Sequence, residues 1–382
     1  MIIAFLLEQA FDIYSGGVQR STSKLAKIFR DFNHHVIIIS IVKDRTENLN
    51  FLGIPIIYCS DFSNIEKIVK SHDIELIINQ AGYSYQITKG LKKMNAQVNI
   101  INTLRINPLN FYDNHKFILS RLFKSKGIDF LDNYLVYKII LWYHILKQRF
   151  EIGYIIKNVD AFVMLSERFK ADLYQLVPSV EKYDHKVFGI NNPFNRPEIE
   201  ISFLKKENVI LHVGRLEIVQ KRVDLLLEIW KKLHGTLSDW EFWVVGHGEQ
   251  EDSMKRYCKD NNMNRVRFFG KQDPDSYYQE AKIFHLTSAY EGFGNVLVEA
   301  QSFGCVPILF DSYSAASDII NHNKDGILIE PFDVDSYVEK TLALVADENR
   351  LIKMSKSAYQ NVYRFSYENT YQKWFKVLDC IY

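Results

Sequence analysis

Short runs of β-branched and other apolar residues alternate along the chain with stretches whose apolar positions recur every three or four residues. Residues 2–6 form such a run. A polar loop with Gly16 and Gly17 follows, then helical periodicity from about 18 to 32. Further runs at 36–41, 54–58, 76–78 and 98–102 continue the series. Continuous apolar runs of this length mark parallel strands covered on both faces, since neither face meets water. Their alternation with helices predicts an open doubly wound sheet. The alternation breaks between about 107 and 157, a stretch that reads as helical and aromatic. It resumes with a run at 161–165, a helix over 167–176 and a run at 186–190. Asn191-Asn192-Pro193-Phe194-Asn195-Arg196-Pro197 then sets two prolines in a polar stretch, which marks a boundary.

A second alternating series follows. Strands are expected at 209–213, 241–245, 266–269, 283–286, 306–310 and 326–329, with helices at 223–233, 295–303 and about 334–345. The chain ends in an aromatic, amphipathic stretch over 368–382. A length of 382 residues accommodates two domains, or three. The expected fold is α/β, with two Rossmann-like doubly wound domains facing across a cleft. The first covers 1–195 and carries the insert at about 107–157. The second covers 196–365, and a helix over 366–382 crosses back to the first. A ligand belongs at the carboxyl ends of the strands, in the cleft between the halves.

Composition changes this picture in one respect. Lys and Arg number 47 against 46 Asp and Glu, a net charge of +1, and 47% of residues are hydrophobic. Those figures exclude a disordered chain and argue against a nucleic-acid binder. The total hides an asymmetry. Residues 1–195 carry 24 Lys and Arg against 18 Asp and Glu, a balance of +6, and the remainder balances at −5. Most of the excess lies in 114–150, where Lys116, Arg121, Lys124, Lys126, Lys138, Lys147 and Arg149 face only Asp129 and Asp132. Phe117, Phe123, Phe130, Tyr134, Tyr137, Trp142, Tyr143 and Phe150 are interleaved with them. Basic, aromatic amphipathic helices favour anionic membrane surfaces. The competing reading is a helix pair with an apolar core face and a solvated basic face. The apolarity of 134–146 implies that much of it is buried.

Other function classes fall away. Cys59, Cys258, Cys305 and Cys380 are scattered, which excludes a disulfide scaffold or zinc cluster and suits a reducing cytoplasm. The apolar run at 1–7 meets Glu8 at once and reads as a buried strand rather than a signal peptide. No stretch reaches the roughly 18 to 20 apolar residues of a membrane span.

The sharpest chemical feature is Glu291-Gly292-Phe293-Gly294-Asn295-Val296-Leu297-Val298-Glu299, two carboxylates eight positions apart across a glycine loop and a helix start. The glycines permit close backbone approach, the helix amino terminus suits a phosphate, and Glu299 can accept two hydrogen bonds from a cis-diol such as a ribose. An acidic helix N-terminus without a ligand is the competing reading. The second feature is Val213-Gly214-Arg215-Leu216, then Gln220-Lys221-Arg222. Two cations near strand ends can neutralise a diphosphate, where a solvated charged turn is the alternative.

With Val245-Gly246-His247-Gly248 and Phe268-Phe269-Gly270-Lys271, these segments resemble the retaining GT-B glycosyltransferases of the family-4 type, the glycosyl transferases group 1. The resemblance covers roughly 209–330 in order and spacing. It is looser in the first half, at Gly16-Gly17-Val18-Gln19-Arg20 and at Val163-Met164-Leu165-Ser166-Glu167-Arg168-Phe169-Lys170. It implies a nucleotide-sugar donor, uridine before guanosine, and transfer to a hydroxyl of a glycan or lipid-linked acceptor with retention. It also implies no metal and no cofactor. Glu299 would bind the ribose and Glu291 the donor sugar, with Arg215 and Lys221 on the diphosphate. Backbone amides from Gly292 through Phe293, Gly294 and Asn295 to Val296 would hold sugar and phosphate. Phe269, Gly270 and Lys271 would meet the base. Gly16 and Gly17 would reach toward the phosphates, and the Gly246 loop would adjoin the nucleotide, with His247 where the family often has Asp.

One departure stands out. Arg105, in Ile101-Asn102-Thr103-Leu104-Arg105, occupies a place where many members have a donor-side His. Arginine stays cationic and cannot shuttle protons near neutral pH. It can bind a donor hydroxyl, or an anionic sugar or acceptor. Asp273-Pro274-Asp275 and Asp333-Val334-Asp335 read DxD but precede helical stretches and look like N-caps. His34-His35 reads as a turn feature rather than a metal pair. The expected role is a peripheral enzyme at the inner, cytoplasmic face of a membrane, in cell-surface polysaccharide biosynthesis. The rivals are a nucleotide-sugar epimerase or phosphorylase on the same architecture, and a non-catalytic nucleotide-sugar-binding partner of another transferase.

Overall fold

Ile3, Ala4, Phe5 and Leu6 are all fully buried, as a strand covered on both faces requires. They lie in β1 (Ile2–Leu7), near the centre of an eight-stranded sheet in a computed structural model that describes residues 1–12, 16–42, 49–197 and 202–382. The sheet continues with β2 (His35–Ile41), β3 (Leu49–Phe51), β4 (Ile54–Cys59), β5 (Leu76–Asn79), β6 (Asn99–Leu104), β7 (Ala161–Met164) and β8 (Val187–Gly189). The order is β3-β4-β2-β1-β5-β6-β7-β8, with every pair parallel except β3 and β4. In register, Phe5 stands opposite Ile38 on one side and Ile78 on the other. Winding reverses between β1 and β5, so the carboxyl ends of that pair form the crevice where such sheets take ligands.

This sheet belongs to a unit made of Met1–Tyr112, Asn133–Pro193 and Tyr367–Tyr382. The last segment is the helix Tyr367–Ile381, which buries Tyr371, Trp374, Val377 and Leu378 in the same core as Phe5 and Phe29. The Phe29 and Trp374 rings meet edge to face at 5.6 Å. His34 Nε2 lies 2.8 Å from the Tyr371 hydroxyl, so this histidine serves the turn before β2.

The stretch expected as one insert forms two helices, Asn110–Ser125 and Tyr134–Asn158. The segment Asp113–Asp132 groups with the second unit and the longer helix with the first. The expectation that much of 134–146 is buried is not met within the chain. Only Tyr137 is buried there, while Leu135 is 67% and Trp142 64% exposed. The helix is anchored instead by its second half, through Ile152, Ile155 and Ile156. No described helix is long and apolar enough to cross a membrane.

The second unit adds Phe194–Ser366 to Asp113–Asp132. Its six-stranded sheet consists of β9 (Glu207–Val213), β10 (Glu241–Val245), β11 (Val266–Gly270), β12 (Ala281–Leu286), β13 (Val306–Phe310) and β14 (Ile327–Ile329). The order β11-β10-β9-β12-β13-β14 is parallel throughout and reverses winding between β9 and β12. The helix Val223–His234 packs Leu226, Trp230 and Leu233 onto this sheet's core. Asp333 caps the helix Val334–Val345 by accepting from Ser336 N at 3.0 Å. Asp273 accepts from the Asp275 amide at 3.3 Å, although the N-cap of the helix Asp275–Glu280 is Pro274.

Candidate functional site

At the reversal point of the second sheet, two loops are stitched together. The loop after β9 carries Gly214 to Arg222, and the loop after β12 carries Thr287 to Gly294. Ala289 N donates to Gln220 O at 2.7 Å. Thr287 Oγ1 donates to the carbonyl of Lys221 at 2.9 Å and to that of Arg222 at 3.1 Å. Arg222 itself has a left-handed backbone, φ 49°, which turns the chain abruptly into the helix Val223–His234. Held in this way, Lys221 meets a residue 70 positions away: its Nζ donates to Glu291 Oε1 at 2.6 Å.

Both members of that pair are only 8% exposed, and three donors converge on the carboxylate. Ser288 Oγ donates to the same Glu291 oxygen at 2.7 Å, and Gln220 Nε2 donates to the other at 3.2 Å. Gln220 Oε1 accepts from Arg215 Nη2 at 3.3 Å. One amide therefore links the exposed Arg215 to the buried carboxylate. A buried ion pair needs such partners, because desolvation costs several kcal/mol per charge. The ammonium has three donors and spends one on Glu291.

The neighbouring strand ends close around the pair. Gly214 N donates to Val245 O at 3.0 Å and Gly246 N to Gly270 O at 2.7 Å, joining the ends of β9, β10 and β11. Gly246 has φ 135°, and a Cβ there would sit 1.8 Å from Gly214 O, so no side chain fits. His247 points to solvent while its carbonyl accepts from Leu216 N at 3.1 Å. Phe269 packs against Tyr277 at 4.6 Å and Trp243 at 5.4 Å. Lys271 is exposed.

Gly294, at φ 100°, is the N-cap of the helix Asn295–Ser302. A Cβ there would lie 2.8 Å from the Tyr313 hydroxyl, so the left-handed turn and the close approach both demand glycine. The turn puts the positive end of the helix dipole beside the Glu291 loop. Phe293 and Gly294 are buried, while Gly292, Asn295 and Val296 are half-buried. Glu299 is half-buried and accepts from the Tyr278 hydroxyl at 3.3 Å on one oxygen. Burial, then the Glu299 charge, push the Tyr278 phenol well up, so it stays a donor. The Tyr313 hydroxyl is buried without a hydrogen-bond partner.

The structure thus brings Arg215, Lys221, Gly246, Phe269, Gly270, Glu291, Gly294 and Glu299 to one end of one sheet. Gly16, Gly17 and Arg105 belong to the first unit. Gly16, φ 151°, precedes the helix Gly17–Asp31, and nothing lies within 4 Å of where a Cβ on either glycine would point. Arg105 follows β6, where burial pulls its guanidinium down to about 10, still cationic at neutral pH. Sequence reasoning missed Ser288, Thr287, Tyr278 and Tyr313. Only Ser288, three positions before Glu291, left a local trace. The rest reach the site through packing. Among the described residues no three His, Cys, Asp or Glu side chains converge as metal ligands would.

Residues 195–361 match the family model for glycosyl transferases group 1. The poly(ribitol-phosphate) alpha-N-acetylglucosaminyltransferase of Staphylococcus aureus (strain COL) is 26% identical over 59% of this chain and 46% of its own length. The amylovoran biosynthesis glycosyltransferase AmsD of Erwinia amylovora is 27% identical over 56% of this chain and 58% of its own. The chain spans about half the length of the curated relatives it matches. A crystal structure of a TarM variant of S. aureus in complex with Fondaparinux, alpha-GlcNAc-glycerol and UDP gives a TM-score of 0.72 at 15% identity, over 99% of this chain and 100% of that one. At that identity the likeness shows the fold.

Proposed function

We propose that this chain, a GT-B protein whose residues 195–361 belong to the glycosyl transferases group 1 family, is a retaining glycosyltransferase of cell-surface polysaccharide biosynthesis. It moves a sugar from a nucleotide diphosphate sugar, UDP-linked by preference, to a hydroxyl of a glycan or lipid-linked acceptor. The observation that carries this reading is the buried Lys221–Glu291 contact at the switch point, with Arg215 one amide away. The bond from the anomeric carbon to the phosphate oxygen breaks, and the new bond to the acceptor oxygen forms on the same face. The acceptor proton passes to the departing phosphate oxygen. Charge therefore grows on the diphosphate, and fixed cations in a site of low dielectric stabilise that charge most. Glu291 orients Lys221 and takes a donor-sugar hydroxyl. Glu299, anchored by Tyr278, leaves one oxygen for a ribose diol. UDP bound to the TarM variant and the acceptor-type names of the relatives support this choice of substrates.

The test is product analysis of purified protein with UDP-sugars, alone and with glycan or lipid-linked acceptors, reading anomeric configuration by NMR. A retained α-linkage in a new glycoside supports the reading. Epimerised donor, a sugar phosphate formed with inorganic phosphate, or no turnover and no hydrolysis of any donor sinks it. Because Arg215 and Lys221 meet the leaving charge, turnover should be unchanged in excess EDTA. A loss restored by a divalent cation would overturn metal independence.

The helix Tyr134–Asn158 supports a peripheral membrane contact as well. Leu135, Ile139, Trp142, Tyr143, Leu146 and Phe150 are all exposed on its first five turns, with Lys138 and Lys147 among them. An apolar stripe rimmed by lysines suits the interface of an anionic bilayer. Replacing Leu135 and Trp142 by Ser should release the protein from phosphatidylglycerol vesicles in sedimentation. Unchanged sedimentation would assign the stripe another role.

A further inference from the structure

The first sheet has its own reversal point, and its polar groups are left unmatched. Gln80 directly follows β5, and its amide nitrogen donates to Leu6 O at 2.9 Å, which fixes it beside β1. Arg105 directly follows β6. Its Nε and Nη2 both donate to Gln80 Oε1, at 2.9 and 2.5 Å, and its Nη1 donates to Asn192 Oδ1 at 3.0 Å. Thr103 Oγ1 donates to the same Gln80 oxygen at 3.3 Å. These three donors fix the orientation of the Gln80 amide, because a flip would turn its NH2 toward a guanidinium.

Two deficits follow. The guanidinium has five N–H groups and shows three hydrogen bonds, all to neutral amides; no carboxylate among the described residues pairs with it. Gln80, 3% exposed, keeps its Nε2 buried with no hydrogen-bond partner. A half-buried cation without a counter-ion and a buried amide donor without an acceptor are each costly. Here they lie one amide's width apart, and a single oxygen-rich anion would satisfy both.

We infer that Arg105 and Gln80 form an oxyanion subsite in the first unit, which takes a carboxylate or phosphate carried by the sugar substrate. The identification of a sugar substrate rests on the glycosyltransferase reading, whereas the anion site itself does not. A planar carboxylate or a phosphate edge matches a guanidinium fork and accepts from the amide at the same time. The anion comes from a uronate donor or from an acidic acceptor, two sources with one chemistry.

The full chain is tested by thermal shift and calorimetry with inorganic phosphate and with free glucuronate, against glucose as a neutral control, at constant ionic strength. The inference expects both anions, not glucose, to bind the wild type. Glucuronate binding should weaken at least tenfold in Arg105→Gln and persist in Arg215→Ala, which touches only the second unit; phosphate, which Arg215 and Lys221 also attract, should lose only its Arg105-dependent part. Gln80→Glu gives Arg105 an internal carboxylate of nearly the same shape, so it should abolish glucuronate binding in a folded protein, which guards against misfolding of Arg105→Gln. No glucuronate binding by the wild type, or glucuronate binding by Arg105→Gln and Gln80→Glu equal to the wild type's, overturns the subsite. The source is read from nucleotide-sugars: a donor uronate makes Arg105→Gln lose affinity for UDP-glucuronate but not UDP-glucose. An acidic acceptor leaves both donor affinities intact while glucuronate binding is lost. UDP binding that survives in Arg105→Gln keeps the failure of the subsite separate from failure of the transferase reading.

Discussion

The two units solve the same topological problem and leave opposite charge balances. Each sheet reverses winding once and gathers polar residues at the carboxyl ends of strands at or next to that point. In the second unit the buried cation Lys221 has a carboxylate at 2.6 Å, and a serine and an amide donate to the same carboxylate. In the first unit the cation Arg105 has only neutral amides, one of which carries an orphan donor. The first arrangement is self-contained and must open or share its ion pair with a ligand. The second is incomplete until a ligand arrives. A site that stabilises charge formed during a reaction benefits from being rigid and preorganised. A site that selects a substrate by charge benefits from being unsatisfied without it.

The largest expected effect comes from breaking the self-contained pair. Lys221→Ala should lower turnover at least tenfold and also destabilise the protein by about 3 kcal/mol, because Glu291 stays buried without its cation. Arg215→Ala should lower turnover by at least the same factor with stability changed by less than about 0.5 kcal/mol, since that side chain is exposed. Steady-state kinetics and denaturant melts on the two variants separate these roles. Equal stability losses would mean that Arg215 is structural. Near-normal turnover in either variant would remove that residue from the site.

Next in size is a pH effect confined to the second unit. His212 in β9 and His285 in β12 are buried neighbours, with His212 Nδ1 3.1 Å from His285 O. Burial lowers His212 to about 4, against a smaller raising effect of that hydrogen bond, and burial lowers His285 to about 3, with His212 adding to it. Folded values below the unfolded 6.5 mean that the unfolded chain takes up protons first as pH falls. Stability is therefore whole above about 6.5 and declines from there down through about 4 and 3, by at most about 3 kcal/mol for His212 and about 5 kcal/mol for His285. Urea midpoints for wild type and His285→Gln between pH 7 and 4 check this. The variant should show a shallower decline, and parallel curves would refute the assignment.

Much of this was legible in the chain. The helix at Val334–Val345 and the strands Glu241–Val245 and Val306–Phe310 fall where the apolar pattern puts them. Each is a buried run bounded by turn residues, so local sequence and tertiary environment agree. The edge strand Leu49–Phe51 escaped notice, because it is three residues long and mostly exposed, with no periodicity to read. The stripe at Tyr134 to Leu146 was misjudged, because apolar character reports what avoids water and not what covers it. At the candidate site, Glu291, Glu299, Arg215 and Lys221 stand in glycine-punctuated loops and could be singled out by type. That Lys221 and Glu291 touch, 70 positions apart, depends on Thr287 and the register of β9 on β12, which no local pattern encodes.

The smallest expected effect tests the comparison most directly, by turning the incomplete site into a copy of the complete one. Gln80→Glu places a carboxylate where Arg105 already directs two N–H groups. Charge-assisted bonds are about twice as strong as neutral ones, and the orphan amide donor disappears with the same change. Desolvation of the new carboxylate offsets part of that gain. The net should be a stabilisation of about 1 kcal/mol, or about 2–4 °C in thermal midpoint for a unit of this size, measured without phosphate. The same substitution on an Arg105→Gln background should instead destabilise, since the glutamate is then buried without a cation. A cycle of the four proteins isolates the coupling. If Gln80→Glu lowers the midpoint whether or not Arg105 is present, the guanidinium was not short of an anion, and the two reversal points differ in sequence without differing in charge logic.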